Sequence, residues 1–527
     1  MPMAQAEQIV FGSFKSADNA RNWAQKLSLS LGQEIGVEAY LRDGTTWHRV
    51  TSTTLSPTDL ELLARRADAA GINHWRLHAV EPAPTAVAPE REPLSPRSEA
   101  PMPPRSDAPS TASVIPARPL QAPARLTPPS GIVQTLEPGL ESAQSHEFNW
   151  QFGVQSRAFT GSGVIDGQRV QGSLSLEAEY YRGWQDDRAS LTFVPFVRWD
   201  SADADRSHAD VRELYYSLVG ESWDLHAGVR RVFWGVTEFH HLIDVINQTD
   251  LVENIDAEDK LGQPMVQLSM VRDWGLLDAF VLPGFRERNF VGDDERLGLP
   301  WALDDARYES GAEELRTDFA LRWSQHFGAL ELGIHHFSGT SREPLLLPHS
   351  ARTLQPYYPV IDQTGIDAQA FVADWAFKLE GFSRSGFGER YAAVNLGLER
   401  TLSGVFESAV DLGVVVEYMY DERGDEAFNT LFENDIALGG RLQMNDFANT
   451  QALLGLIYDH DTDDLILSLE ASRELSQHWL LSVEGRGFFG NTALPAAPLT
   501  SMLLDPRYKG SWFRDEDYIQ LELRRFF

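Results

Sequence analysis

The sequence predicts a mainly β chain: an antiparallel transmembrane β-barrel of 18 strands, with 16 as the alternative count, behind a small βαββαβ domain and a proline-rich linker. Three observations carry this reading. From Glu147 onward, segments of about ten residues alternate apolar and polar, the period of a strand with one apolar and one wet face. Tryptophans gather near the ends of those segments, at Trp150, Trp199, Trp223, Trp323, Trp375 and Trp479, as an interfacial girdle needs. More than half of the chain's 28 prolines fall between residues 81 and 145.

Residues 1–80 read as a separate α/β domain. Residues 8–14 form a short apolar strand. Ser16 can cap a helix to about residue 31, with Ala20, Trp23, Ala24 and Leu27 at helical spacing. Residues 35–41 and 47–53 form a hairpin around Asp43-Gly44, a two-residue turn signal. Ser56-Pro57 opens a second helix over residues 58–70, closed by Gly71, and residues 74–80 are the last strand. At the very start, Ala4-Gln5-Ala6 fits the small-x-small signature that follows a secretory signal, so a clipped signal sequence is expected.

That element order, with Gly12-Ser13-Phe14 followed by a helix beginning Ser-Ala-Asp-Asn-Ala, resembles the SPOR domain over about 75 residues. The resemblance implies binding of peptidoglycan glycan strands stripped of stem peptides, with Ser13, Phe14, Trp47 and Arg49 as the residues expected to meet glycan. Val10 stands where the family usually has Gln, and Arg49-Val50 is followed by Thr51 to Thr54 where the family usually continues to Gly-Pro-Phe.

Residues 81–145 hold Pro, Ala, Ser and Arg with almost no aromatics. Such a segment cannot bury enough apolar surface to fold and is expected to act as a disordered, semi-stiff spacer, spanning on the order of 200 Å at about 3 Å per residue.

Residues 146–527 supply the barrel. Leu174, Leu176, Ala178 and Tyr180 alternate with Ser173, Ser175, Glu177 and Glu179; Trp479, Leu481 and Val483 alternate with Ser482, Glu484 and Arg486. With both ends on one side, the strand number must be even, which demands two strands and a tight turn near Ala373-Asp374 within residues 366–382. Short turns are then expected at 185–188, 220–222, 272–275, 324–328, 372–374, 402–406, 445–449 and 474–477. Long excursions are expected at 235–263, 283–313, 339–364, 421–434 and 491–516. The chain ends inside a strand. Phe527, with Leu523, Leu521 and Ile519 at alternate positions before it, resembles the signal read by the barrel-assembly machinery; Arg525 departs from that pattern. Arg230-Arg231-Val232-Phe233-Trp234-Gly235 and Gln248-Thr249-Asp250-Leu251-Val252-Glu253 resemble an uncharacterised group of proteobacterial outer-membrane proteins, which implies fold and location without an activity.

A net charge of −32 argues against nucleic acid as a partner, because that affinity comes from phosphate neutralisation. The absence of cysteine excludes disulfides and thiolate metal sites. No motif for a catalytic nucleophile, phosphate loop or dinucleotide appears, so neither enzyme nor cofactor is expected. Glu238, His240, His241 and Asp244 lie close in sequence, but strand geometry would send the two histidines to opposite faces, and no metal site is assigned. Lumen-facing charges of both signs suit an aqueous channel. The candidate constriction is the outer excursion 235–263, carrying Asp250, Glu253, Asp256, Glu258, Asp259 and Lys260, together with Arg230, Arg316 and Arg322 on the wall. Its apolar run 242–246 would be buried if the loop folds inward; the alternative is an acidic surface loop that binds divalent cations near lipopolysaccharide. The expectation is a channel for small hydrophilic solutes in the cell outer membrane, its N-terminal domain in the periplasm on peptidoglycan. The partners expected beyond peptidoglycan are membrane lipid and lipopolysaccharide. The alternative is a closed barrel acting as a structural anchor.

Overall fold

A computed structural model describes residues 145–527 except 185–186, 351, 406–407, 428, 491–507 and 509. Before them it describes four strands together with Ala24, Leu27, Ser28, Gln33 and Leu63. Two compact units hold these residues, one within 1–108 and one within 136–527.

The first unit is an antiparallel sheet of β1 (Glu7–Phe14), β2 (Ile35–Arg42), β3 (Thr45–Ser52) and β4 (Trp75–His78), in the order β2-β3-β1-β4. Ile9, Phe11, Ile35 and Val50 of the sheet and the helical Ala24, Leu27 and Leu63 are all buried. Ser28 Oγ ties helix to sheet, donating to Ala24 O at 2.8 Å and accepting from Ile35 N at 2.9 Å. Arg49 lies half-buried in β3; the side chains of Ser13, Phe14 and Trp47 and the proline-rich stretch lie outside the described residues.

The second unit is a closed antiparallel barrel. Its first seven strands are β5 (Ser145–Phe159), β6 (Val170–Trp184), β7 (Ala189–Asp200), β8 (Ala209–Val219), β9 (Trp223–Arg230), β10 (Gln263–Arg272) and β11 (Gly275–Pro283). Short strands β12 (Ala302–Leu303), β13 (Arg307–Tyr308), β16 (Leu345–Pro348) and β17 (Thr353–Tyr358) form a small separate sheet in the loops. The wall continues with β14 (Thr317–Phe327), β15 (Leu330–Thr340), β18 (Val360–Val372), β19 (Trp375–Ser385), β20 (Tyr391–Leu402), β21 (Asp411–Asp421), β22 (Asn434–Gln443), β23 (Gln451–Asp459), β24 (Leu465–Ser476), β25 (Trp479–Phe489) and β26 (Tyr518–Phe526). β26 then pairs with β5, Tyr518 opposite Phe159 and Phe526 opposite Gln151, completing eighteen strands.

Alternation explains why the ring is stable in lipid. Val154, Leu174, Leu321, Ile366, Leu396, Leu438 and Leu521 point outward and are exposed. Their neighbours Gln155, Ser173, Asp367 and Glu522 point inward and are buried. Every barrel strand has a paired neighbour on each side, so the sheet closes without an edge strand.

Connections segregate by length. Eight run from two residues, at 273–274, to eight, at 403–410, all on one rim; the long ones, including 231–262, 284–316 and 490–517, sit on the other. The tight turn at Ala373-Asp374 is present, with Ala373 at φ +53°. Some expected boundaries move. Ser324 to Phe327 stay paired in β14 and the turn falls at Gly328, φ +66°. Residues 360–364 belong to β18, paired with 336–340. Two connections on the long-loop rim, 386–390 and 460–464, are only five residues.

The ladder is interrupted around Pro195. β6 pairs with β7 at Glu177–Phe196 and again at Tyr180–Phe193, with nothing between. On its other side β7 meets a bulge, Val194 opposite Glu213 and Pro195 opposite Val211, which leaves Arg212 as the extra residue. Proline has no N–H to give to a ladder.

Candidate functional site

The site is the lumen, and its architect is the loop 231–262. The loop leaves β9 and returns to β10, and Asn247 holds its two ends together. Asn247 Oδ1 accepts from Val232 N at 2.9 Å, and Nδ2 donates to Arg230 O at 2.9 Å and Leu261 O at 2.8 Å.

Between those ends the loop reaches across the barrel. Its first turn docks on the far wall through two carboxylates. Glu380 on β19 accepts from Val236 N, Thr237 N and Thr237 Oγ1 at 2.6, 2.9 and 2.7 Å, and from Ile243 N at 3.3 Å. Glu417 on β21 accepts from Glu238 N at 2.6 Å and Phe239 N at 2.9 Å. Asn395 donates to His240 O at 2.7 Å, and Arg441 pairs with the Glu238 carboxylate. The Phe239 ring lies where a side chain on Gly439 or Gly455 would collide with it, so those glycines make its socket.

The run 242–246 is buried as a core inside the lumen. Ile243, Val245 and Ile246, with Trp234, pack on Met265, Phe280, Leu282, Ala320, Phe337 and Ile361. This apolar filling occupies the β10–β18 side of the barrel. At the long-loop rim, Arg296 and Glu516 form an ion pair at 2.6 Å with both side chains almost wholly buried, beside Phe159, Leu297 and Tyr518.

The acidic half of the loop turns toward the opposite wall. Asp250 accepts from Arg212 at 2.8 Å and Asn289 at 3.0 Å. Glu253 pairs with Arg198 at 2.8 Å and Arg212 at 3.6 Å. Burial alone would push the Glu253 carboxyl up, but those two guanidiniums outweigh it and hold it down at about 2. Asp256 pairs with Arg486 at 3.0 Å. Lys260 turns back to Asp244 at 3.3 Å.

Glu258 and Asp259 differ. Among the described residues their carboxylates form no ion pair and accept no hydrogen bond, and both line a cavity of about 310 Å³. The loop roofs this cavity. Its walls carry Glu177, Glu179, Glu470, Glu484 and Glu522 against Arg198, Arg212, Arg231 and Arg524, with Trp150 and Phe526 toward the rim where the chain ends. Burial raises the Asp259 carboxyl to about 6, with Glu253 adding to the rise and Arg212 opposing it. Burial, and then the neighbouring Asp256, raises Glu258 well above its ordinary value.

The three arginines expected on the constriction lie elsewhere. Arg230 is bonded to Gln267, Arg316 to Asp318, and Arg322 to Asp367 at 2.7 Å; none lines the cavity. Arg212 is the cavity arginine that strict alternation hides, because the bulge opposite Pro195 puts it out of phase. His240 and His241 sit in the docking turn, where burial lowers them to about 4 and about 3, so both are neutral. Among the described residues no group of three or more acids and histidines is placed to hold a metal ion. At the chain end, Ile519 and Leu521 face outward, and Phe527 stacks on Trp150 with ring centres 3.7 Å apart.

Comparison with known proteins adds to each unit. The SPOR domain model matches residues 9–77. No curated protein matches the chain. Similar solved structures include Pseudomonas aeruginosa OpdQ, at 10% identity over 73% of this chain and 97% of that one, TM-score 0.41. Pseudomonas aeruginosa OpdO gives 9% identity over 73% and 96%, TM-score 0.42. Wzi, an Escherichia coli outer-membrane protein involved in group 1 capsule assembly, gives 9% over 71% and 83%, TM-score 0.43. The chain thus joins a stretch that matches the SPOR domain model, residues 9–77, to a closed antiparallel barrel of eighteen strands.

Proposed function

We propose that the barrel is an outer-membrane channel for small hydrophilic solutes, with a preference for cations, tethered to peptidoglycan through its SPOR domain. The observation that carries the reading is the inward loop, which spends Asp250, Glu253 and Asp256 on wall arginines and leaves Glu258 and Asp259 open to the lumen cavity. Fixed carboxylates lower the cost of a cation in a narrow, poorly hydrated passage. The N-terminal unit would face the periplasm, and Phe527 with Leu523, Leu521 and Ile519 would present the terminal strand to the assembly machinery.

A second reading, a closed barrel serving as a structural anchor, is favoured by the apolar packing of residues 242–246 and the buried Arg296–Glu516 pair at the long-loop rim. Planar-bilayer recording of the purified full chain separates the two. Discrete conductance steps with a cation-directed reversal potential are expected; a protein that inserts without conducting leaves the anchor.

A further inference from the structure

The wall near Pro195 has a consequence on its lipid side. β8 extends to Ala209, yet its pairing with β9 ends at Leu214 opposite Val229. Beyond that point loop residues stand in for the missing strand. A side chain on Gly262 would collide with Arg212 O and Val229, so its backbone fills the gap. Arg286, from the next loop, closes it. Its Nη1 donates to Gly262 O at 3.0 Å and its Nη2 to Asp210 Oδ1 at 2.8 Å.

Outside this patch lies a groove of about 730 Å³, within the ~300–1,000 Å³ range of small-molecule sites. Its lining is apolar along Leu176, Pro195, Val197, Val211, Val229 and Pro264, and charged only at Arg286 and Asp210. It crosses five adjacent strands, β6 to β10, a span of roughly 19 Å at the usual strand spacing. Large apolar side chains fill many outward positions elsewhere; here proline, alanine and glycine contribute to the lining and remove volume from the wall. The Arg286 side chain is 29% exposed while Asp210 is 9% exposed, so the guanidinium is the accessible charge. Arginine is the side chain best suited to hold a phosphate through paired N–H donors.

We propose that this groove binds one anionic membrane lipid, an acyl chain lying along Leu176, Pro195, Val197 and Val211 and its phosphate held by Arg286. The seat is separated from the lumen cavity by a single layer, because Ala178 and Phe196 line both spaces. The assignment does not depend on whether the barrel conducts.

The chain has no cysteine, so single-cysteine probes can be introduced without background. The full-length chain carrying V211C, labelled with a small fluorophore, would be reconstituted in phosphatidylcholine vesicles with rising amounts of brominated-chain phosphatidylglycerol. I436C, outward-facing on β22, is the reference for bulk lipid. Half-quenching at V211C is expected at a mole fraction at least about threefold lower than at I436C, with brominated phosphatidylcholine quenching both sites alike. R286Q should abolish the difference. Parallel quenching of the two sites by phosphatidylglycerol overturns the proposal. Equal preference of V211C for both brominated lipids overturns the phosphate assignment. The comparison between lipids needs no change at Arg286, so it decides the matter even if R286Q fails to fold.

Discussion

Whether a carboxylate in the lumen acts as a charge depends on what it touches. Asp250 and Glu253 are neutralised in pairs with Arg212 and Arg198, so D250N or E253Q would release an arginine as well as remove an acid. Among the described residues Asp259 has no such partner, and with its carboxyl raised to about 6 it is mostly charged at pH 7 and mostly protonated at pH 5. Glu258, whose carboxyl is raised by burial and by the neighbouring Asp256, is the second open acid. Cation preference in reversal-potential measurements at about 0.1 M salt should therefore rise from pH 5 to pH 8. D259N should flatten that rise, and the D259N/E258Q double variant should flatten it further. At 1 M salt, where the screening length is about 3 Å, all variants should converge. A pH-independent selectivity, or one unchanged in the D259N/E258Q double variant, would remove these residues from the permeation path.

At the scale of elements, alternation made strand parity legible: Leu174 out and Ser173 in follow from period two alone. Even parity of the strand count forced the turn at Ala373-Asp374, which is present. Alternation cannot see a bulge, and so it lost Arg212. Nor does it distinguish a lumen carboxylate in water from one, such as Glu380 or Glu417, that receives the backbone of a loop more than a hundred residues away in sequence. The apolar run 242–246 signalled that the loop turns inward, but not where it lands. The landing is testable. Each charge-assisted hydrogen bond to a buried carboxylate contributes about 1.5–3 kcal/mol. Replacing both acids, E380Q/E417Q, should release the loop. Limited proteolysis of the refolded barrel should then cut within 231–262 at least tenfold faster than in the wild type, with heat-modifiable migration retained. Equal rates would mean that the apolar packing and the loop's remaining polar contacts hold it without these two acids.

For the whole molecule, composition announced the division of labour. A SPOR domain precedes more than half the prolines, which precede the alternating strands. If the SPOR domain binds glycan, the detergent-solubilised full chain should sediment with purified sacculi, more strongly after amidase treatment strips stem peptides. A chain beginning at residue 136 should stay in the supernatant. Sedimentation of both forms alike would shift the contact to the barrel; sedimentation of neither would show that Val10 and Thr51 to Thr54, where the family usually has Gln and Gly-Pro-Phe, have cost the domain its ligand.

The crossing loop also constrains the order in which the barrel can be built. Joining β26 to β5 unites residues more than 350 positions apart, the largest chain-closure entropy in the molecule. The loop touches β19, β21 and β22 with its first turn, and β7 and β25 with its acidic half. It can therefore gather both halves of an open sheet around itself before the seam exists. A loop that had to enter a finished cylinder would instead face walls already tied together. On this view residues 231–262 serve as a mandrel about which the two halves of the wall can be gathered.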